Sequence, residues 1–474
     1  MNEANSRTQG SRATQSARTL LLSILFSRHY VPALVLAVVL LRLAWMVTVP
    51  AEPVEDASWY YKTAVAIAEG AGYTRNGMPT AWYPIGYPLF LGGIFAITRP
   101  SPTAGKIANL LLVLVTLLLV YRLGRVVFRS EAVGRLATAG YALLPDGVFW
   151  SAQLASEPLF VALALGGTLC ILHEPTRWWK VVTAGLLFGC AVSVRPVGMM
   201  LPFVVLFAGL LRDKRLPSWG ARFREFCVLC VLVALVVAPW TARNYRTFGA
   251  FVPLSTSGGF NLVIGNNPVA SGVFQRDYAT FQMVPEPYRT PCATSFDKYL
   301  WNPDGPALLG TTHETLNEPS IDRACRDAAI RYIVENPVAT ALLFVKKAWL
   351  MYRADGGGAF HSMDQFARQG DGWAQAQKWA RRVAHLTWLV LFGAFLGSLV
   401  VLPRAARQAG WQPTVFPWFG VVFIALFTAF TCVFYASGRY YAPMVPWICL
   451  YVAALVVWLF DLDRAPIAET SQVK

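Results

Sequence analysis

The stretch VEDASWYYKTA, residues 54–64, sets two adjacent carboxylates, Glu55 and Asp56, just after an apolar run long enough to cross a membrane. A carboxylate held beside a low-dielectric phase and near cations can be tuned toward the proton affinity that a general base needs. A second acid, Glu157, lies in QLASEPLF. Cations stand at Lys62, Arg195, Arg243, Arg246 and Arg439, with phenols at Tyr83 and Tyr440. Arginines at the ends of apolar runs suit a phosphate at headgroup depth, because the guanidinium fork grips two phosphate oxygens. The chemistry open to this set is proton removal from a nucleophile beside a held phosphate. Each residue also has a plain structural use. Glu55 and Asp56 could be a solvated loop flank, and Glu157, before Pro158, a helix-dipole acid worth up to about 1 kcal/mol. Arg195 and Arg243 could be interfacial anchors, and Trp59, Tyr60, Tyr61, Trp82 and Tyr83 an aromatic belt.

The elements that must position them are membrane helices. Of 474 residues 55% are hydrophobic and only 14% charged, and apolar runs such as VPALVLAVVLLRLAWMVTVP recur along the chain, which a soluble core would not need. The expected fold is an all-α polytopic bundle, since open strand edges go unsatisfied in lipid. The net charge of +15 sits in short clusters between the runs, so it reports topology rather than nucleic-acid binding. Residues 1–30 read as a disordered cytoplasmic tail. The first span covers 31–49, and 50–102 forms a first outer loop in which YPIGYPLFLGGIFAIT is interfacial rather than spanning. Further spans fall at 103–121, 132–149, 154–172, 179–194, 196–212 and 225–240, keeping Arg122, Arg125 and Arg129 inside. The N-terminal membrane module thus runs over 31–242.

Residues 243–383 read as an extracytoplasmic region, within which NPVATALLFVKKAWLMYR lies on the membrane surface and GGG at 356–358 is a flexible joint. Spans at 384–402, 414–436 and 440–460 complete about ten crossings, with Arg404 and Arg407 inside, and 461–474 is a cytoplasmic tail. Arg42, inside the first span, needs a partner on a neighbouring helix. Six of the eight cysteines lie in apolar runs, where they act as small hydrophobes. Cys292 and Cys325 lie in the polar segment and could form a bridge if it faces an oxidising compartment. The chain has no phosphate-binding loop, no dinucleotide fingerprint and no metal-ligand spacing, so neither a nucleotide, a metal nor another cofactor is expected.

The order VEDASWYYKTAVAIAEG, WYPIGYPLFLGGIFAI, SEPLFVAL, VRPVGMMLP, PWTARNYRTFGAFVPLSTSGGFNLVIGNNP and GRYYAPMVPW resembles the multi-spanning glycosyltransferases of GT-C type, in particular the family 39 protein-mannosyltransferase-like group. The resemblance covers roughly 30–270 and 385–460. It implies a GT-C-like helical bundle with interfacial helices, matching 58–69 and 84–97, and a polyprenyl-phosphate sugar donor used on the extracytoplasmic face. It also implies Asp56 at the catalytic centre with Glu157 as the second acid, and Arg243 and Arg439 as phosphate- or substrate-binding cations. A lysine commonly precedes the Pro-x-Gly-Tyr element of the group; here Tyr83 takes that place.

The chemistry agrees. A sugar leaving from its anomeric carbon develops oxocarbenium character, and its phosphate needs countercharge more than a proton. One carboxylate then suffices as base, and the opposed acid pair of a hydrolase is not required. The expected protein is an inverting glycosyltransferase of the bacterial inner membrane, facing the periplasm, with a glycan, lipid or protein acceptor. A flippase of lipid-linked glycan would instead call for charges at mid-membrane and broken helices, and a polysaccharide polymerase or ligase differs mainly in its donor.

Overall fold

The computed structural model of the protein describes residues 19–20, 22–172, 177–210, 219–295, 317–353, 356–408 and 417–462. Nearly all regular structure there is helical. In chain order the N-terminal module supplies α1 (Tyr30–Thr48), α2 (Glu55–Ala68), α3 (Gly86–Thr98), α4 (Pro102–Val127), α5 (Glu131–Ala142), α6 (Pro145–Phe149), α7 (Glu157–Leu172), α8 (Trp178–Val194), α9 (Leu201–Leu210) and α10 (Trp219–Phe248). Then come α11 (Gly258–Gly265), α12 (Arg289–Ala293), α13 (Glu318–Glu335), α14 (Pro337–Tyr352), α15 (Gly357–Ala367), α16 (Asp371–Gln408), α17 (Pro417–Val433) and α18 (Val445–Phe460). A two-residue hairpin, Thr74–Arg75 with Met78–Pro79, lies between α2 and α3.

Among the described residues five helices are long and apolar enough to cross a membrane: α1, α4, α10, α16 and the segment Gly438–Phe460 that contains α18. Four further expected crossings are shorter apolar helices, at 157–172, 178–194, 196–209 and 418–433. The tenth, 132–149, is broken: α5 ends at Ala142 and Pro145 opens a separate short helix, because proline disfavours helical backbone in the residue before it. A 16-residue helix such as α7 rises only about 24 Å. α7 begins, and α8 stops, at the same end of the bundle, leaving room there for a site. The aromatic residues near that end are not a lipid-facing belt: Trp59, Tyr60 and Trp82 are buried.

The described parts of 243–383 are largely helical. α13 and α14 meet at Asn336–Pro337 with a 108° bend. Of the two lysines in α14, Lys346 is exposed while Lys347 is buried and donates to Asn266 Oδ1 at 3.2 Å. The expected flexible joint at 356–358 is instead a docking point. Gly356 has φ 106°, open to glycine, and Gly358 N donates to Asp146 Oδ1 at 2.7 Å. A Cβ on Gly358 would fall 2.6 Å from the Asp146 carbonyl oxygen, so α15 is fastened to α6. α16 starts at Asp371, well before the expected span start at 384. Arg42 finds its partner on α6: it is 3% exposed and donates to the Gly147 carbonyl, while Trp45 Nε1 donates to Phe149 O at 3.1 Å.

The clustered arginines 122, 125, 129 and 135 lie at one end of this bundle, and Glu55, Asp56 and the 69–80 loop at the other. A membrane-impermeant maleimide applied to intact cells should therefore label Ala71→Cys, and label Arg122→Cys only after permeabilisation, above the background of the native cysteines. The opposite pattern would invert the orientation given by the positive charges.

Candidate active site

Asp56 opens α2 directly after Glu55, whose backbone is left-handed at φ 48°, a conformation that costs a non-glycine residue about 1–2 kcal/mol. The Asp56 carboxylate receives two donors. Tyr83 OH donates to Oδ1 at 2.7 Å and Arg439 Nη1 donates to Oδ2 at 2.8 Å. Arg439 extends to the second acid, its Nε donating to Glu157 Oε1 and its Nη2 to Glu157 Oε2 at 3.1 Å. Arg195 Nη1 closes the group, donating to Glu157 Oε1 at 2.7 Å and to Ser156 Oγ at 3.0 Å. Two acids and two arginines, from α2, the start of α7, the α8 end and the turn before α18, thus form one chain of charge-assisted bonds. The side chains of Glu157 and Arg439 are 10% and 15% exposed, whereas that of Asp56 is 37% exposed. The aspartate is the acid that a bound molecule can reach.

Local sequence explains each placement. Pro196 holds Arg195 extended (φ −143°, ψ 125°), turning its side chain out of the helix that ends at Val194. Asn109 in α4 accepts from or donates to Tyr87 OH and donates through Nδ2 to Ala155 O at 3.1 Å, fixing the turn before Ser156 and Glu157. Gly86 lets α3 sit against Ser193: a Cβ there would come within 2.5 Å of the Ser193 carbonyl oxygen. Ala436 N donates to Gly272 O at 2.7 Å and Asn266 Nδ2 donates to Val433 O at 2.8 Å. These bonds make the outer segment brace the turn that carries Arg439. Trp150 lies under the Arg439 guanidinium at 5.1 Å and Tyr440 under that of Arg195 at 5.9 Å.

The expected residues therefore divide. Asp56, Glu157, Tyr83, Arg195, Arg439 and Tyr440 come together. Tyr83, expected as a phosphate-side residue, gives its phenol to the Asp56 carboxylate. Burial and the neighbouring Asp56 raise its pKa well above the usual phenol value, so it remains a donor. Burial and Asp56 likewise push Tyr60 up to about 12. Glu55 points away, 70% exposed, and pairs with His361 Nδ1 at 3.5 Å. Burial lowers the His361 pKa in spite of that acid. Lys62 is exposed on the outer side of α2, and Arg246 is exposed near the end of α10. Arg243 does not join the group. Its guanidinium donates to Thr80 O at 2.8 Å, Tyr73 O at 3.0 Å and Asn244 Oδ1 at 3.0 Å, and covers Trp240 at 4.9 Å. Its donors are spent on backbone carbonyls of the first outer loop, so it holds that loop's shape. Cys292 and Cys325 are buried thiols with sulfurs 3.4 Å apart.

One residue of weight is absent from the sequence expectations. Glu318, 3% exposed at the start of α13, accepts from Thr80 Oγ1 at 2.5 Å, Ala81 N at 2.8 Å and Thr256 Oγ1 at 2.7 Å. It ties the start of α13 to Thr80 and Ala81, the residues just before Trp82 and Tyr83. The only signal in the sequence is NEPS at 317–320, a helix start whose Asn317 and Ser320 form a reciprocal cap.

Residues 83–242 match the dolichyl-phosphate-mannose-protein mannosyltransferase family. No curated protein sequence matches the chain. Among solved structures, the chain superposes on the Archaeoglobus fulgidus oligosaccharyltransferase tethered with an acceptor peptide at a TM-score of 0.50. The identity is 11%, over 92% of this chain and 50% of that one. It thus spans about half the length of the archaeal enzyme. ArnT from Cupriavidus metallidurans, bound to undecaprenyl phosphate, matches at a TM-score of 0.39 and 13% identity, over 90% of this chain and 78% of that one. The family match thus covers 83–242, about a third of the chain, and the superposition shows that the chain shares the helical membrane fold of the archaeal enzyme.

Proposed function

We propose that the protein transfers a sugar from a polyprenyl-phosphate-linked donor to an extracytoplasmic glycan, lipid or protein acceptor, with inversion and with Asp56 as general base. The observation that carries this reading is the half-exposed Asp56 carboxylate meeting Arg439 and, through it, Glu157. Two oxygens of Asp56 offer about four lone-pair positions, of which Tyr83 and Arg439 use two, so an acceptor hydroxyl or amine can still donate to it. The base takes the acceptor proton, the acceptor atom bonds to the anomeric carbon from the face opposite the phosphate, and the carbon–oxygen bond to phosphate breaks with its electron pair. Polyprenyl phosphate leaves. A single displacement of this kind inverts the anomeric centre.

Glu157 has a different part in this scheme. Held by both arginines and almost covered, it sets the position of Arg439 and has no free path to a proton of the acceptor. Charge within the group balances: Asp56 and Glu157 against Arg195 and Arg439. Removing one member leaves a buried charge uncompensated, which costs about 3–5 kcal/mol. Glu157→Gln is therefore expected to lower both thermal stability and transfer. The reading places the catalytic end at the periplasmic face of a bacterial inner membrane, the compartment that the positive charges assign to that end.

Asp56→Asn keeps the size of the side chain and removes its basicity. In proteoliposomes with a radiolabelled polyprenyl-phosphate sugar it should lower transfer by about 100- to 10,000-fold, the usual contribution of a general base, while donor binding persists. Undiminished transfer would exclude this aspartate as base. Glu318→Gln should lower the thermal midpoint, since a buried charged acceptor contributes about 1.5–3 kcal/mol, and should reduce transfer through the displaced Thr80–Tyr83 strand. An unchanged midpoint would mean that Glu318 carries no structural weight. For the cysteines, protein purified from intact cells is expected to resist alkylation at Cys292 and Cys325 until reduced, as in an oxidising compartment. Immediate alkylation of both would place that segment elsewhere or leave the thiols unpaired.

A further inference from the structure

We infer that a cavity beside the catalytic group, between α1, α4 and α6, is a binding site for a phosphate carried on a membrane lipid. This rests on the reading that the donor is lipid-phosphate-linked, and it names the countercharge that the catalytic group lacks. Arg195 and Arg439 are each matched by a carboxylate, and Arg243 is spent on backbone carbonyls. Of the three arginines expected to hold phosphate, two are thus charge-matched and the third has its donors engaged by the 73–80 segment.

The cavity has about 120 Å³ of space, and Glu157 and Arg439 form part of its wall, so it opens onto the reaction centre. Its other polar walls are Arg42 and Lys106, with Asp146 and Trp150 at the α6 side. Arg42 is 3% exposed, and no carboxylate among the described residues lies within ion-pair distance of it. One of its five donors reaches the Gly147 carbonyl, and its Nε has no hydrogen-bond partner. A fully buried guanidinium without an anion is costly inside a membrane protein and marks a place for one. Lys106 is buried too, donating to the Ala51 carbonyl at 2.7 Å. Besides the mutually paired Glu157 and Arg439, the wall has one acid, Asp146, which is engaged by Gly358 N at 2.7 Å and Trp150 Nε1 at 3.0 Å. Three cations against two acids leave the lining with a formal charge of +1.

Depth and lining fit a lipid phosphate. Arg42 lies six residues before the end of α1, about 9 Å below it, and Lys106 is in the second turn of α4, so both stand near headgroup level of the leaflet at the catalytic end. The remaining walls are apolar, from Leu110, Val113, Leu144 and Val161, and suit an acyl or prenyl chain more than a free ion. Bound there, a phosphate would pair with Arg42 and Lys106 and present its sugar toward Asp56.

Purified full-length protein in nanodiscs would be titrated with a polyprenyl phosphate, with the matching polyprenol, and with phosphatidylglycerol, for the wild type, Arg42→Gln, Arg42→Lys and Lys106→Gln. The polyprenyl phosphate should bind at least tenfold more weakly to Arg42→Gln and Lys106→Gln, with partial rescue in Arg42→Lys, while the weak binding of the polyprenol is the same in all four. An Arg42-dependent response to phosphatidylglycerol would assign the site to ordinary headgroups as well, still as a lipid-phosphate site. Variants that keep the wild-type thermal midpoint and bind the polyprenyl phosphate undiminished would overturn the inference. If the substitutions lower the midpoint, competition by inorganic phosphate against wild-type binding of the polyprenyl phosphate decides instead, and no competition at tens of millimolar overturns it. Transfer by Asp56→Asn, measured alongside, is independent: its loss with intact binding supports the proposed reaction, and its survival condemns the reaction without touching the lipid-phosphate site.

Discussion

A single guanidinium organises the candidate active site of this protein. Arg439 bonds both acids at once, and the bonds that reach it come from segments nearly four hundred residues apart. Burying that many charges is tolerable because they cancel pairwise and are held by charge-assisted hydrogen bonds. The rest of the bundle serves this arrangement. Proline breaks release Arg195, a tight α3–α8 approach brings the first outer loop over the α8 end, and the outer segment pins the turn before α18 to Gly272. The short helices α7 and α8 are consistent with this demand: each meets the site with its terminus, where side chains can turn inward without a full membrane crossing above them.

Balance of charge also shapes the chemistry. In an acid–arginine group whose formal charges balance, the aspartate stays reachable because the other members are deeper. The group can then act on a proton but offers little to a departing phosphate. Positive charge left over elsewhere becomes informative, and the cavity around Arg42 and Lys106 is where the described residues keep it.

Much of this was legible in the residues themselves. Ionisable groups are expensive near lipid, so Asp56, Glu157, Arg195 and Arg439 stood out by type and position alone, and the helical bundle followed from runs that nothing but a membrane requires. What could not be read was who spends which donor. Arg243, like Arg195, stands at the end of an apolar run, yet its fork closes on the carbonyls of Tyr73 and Thr80. Glu318 sits in a polar stretch where an acid is ordinary, and only its burial under Thr80, Ala81 and Thr256 gives it meaning. The triple glycine suggested looseness because the residue allows it, whereas here its missing side chains permit contact with Asp146. Backbone freedom and close approach leave the same trace in a sequence.

The central claim is that Asp56 and Arg439 work as one unit, and a double-mutant cycle on the transfer rate tests it most directly. Sugar transfer would be measured for the wild type, Asp56→Asn, Arg439→Gln and the double variant under identical conditions. Coupled residues predict that the double variant transfers about as fast as the slower single variant. Losses that multiply across the two positions would mean that the residues act independently and that the bridge between them is not part of the mechanism.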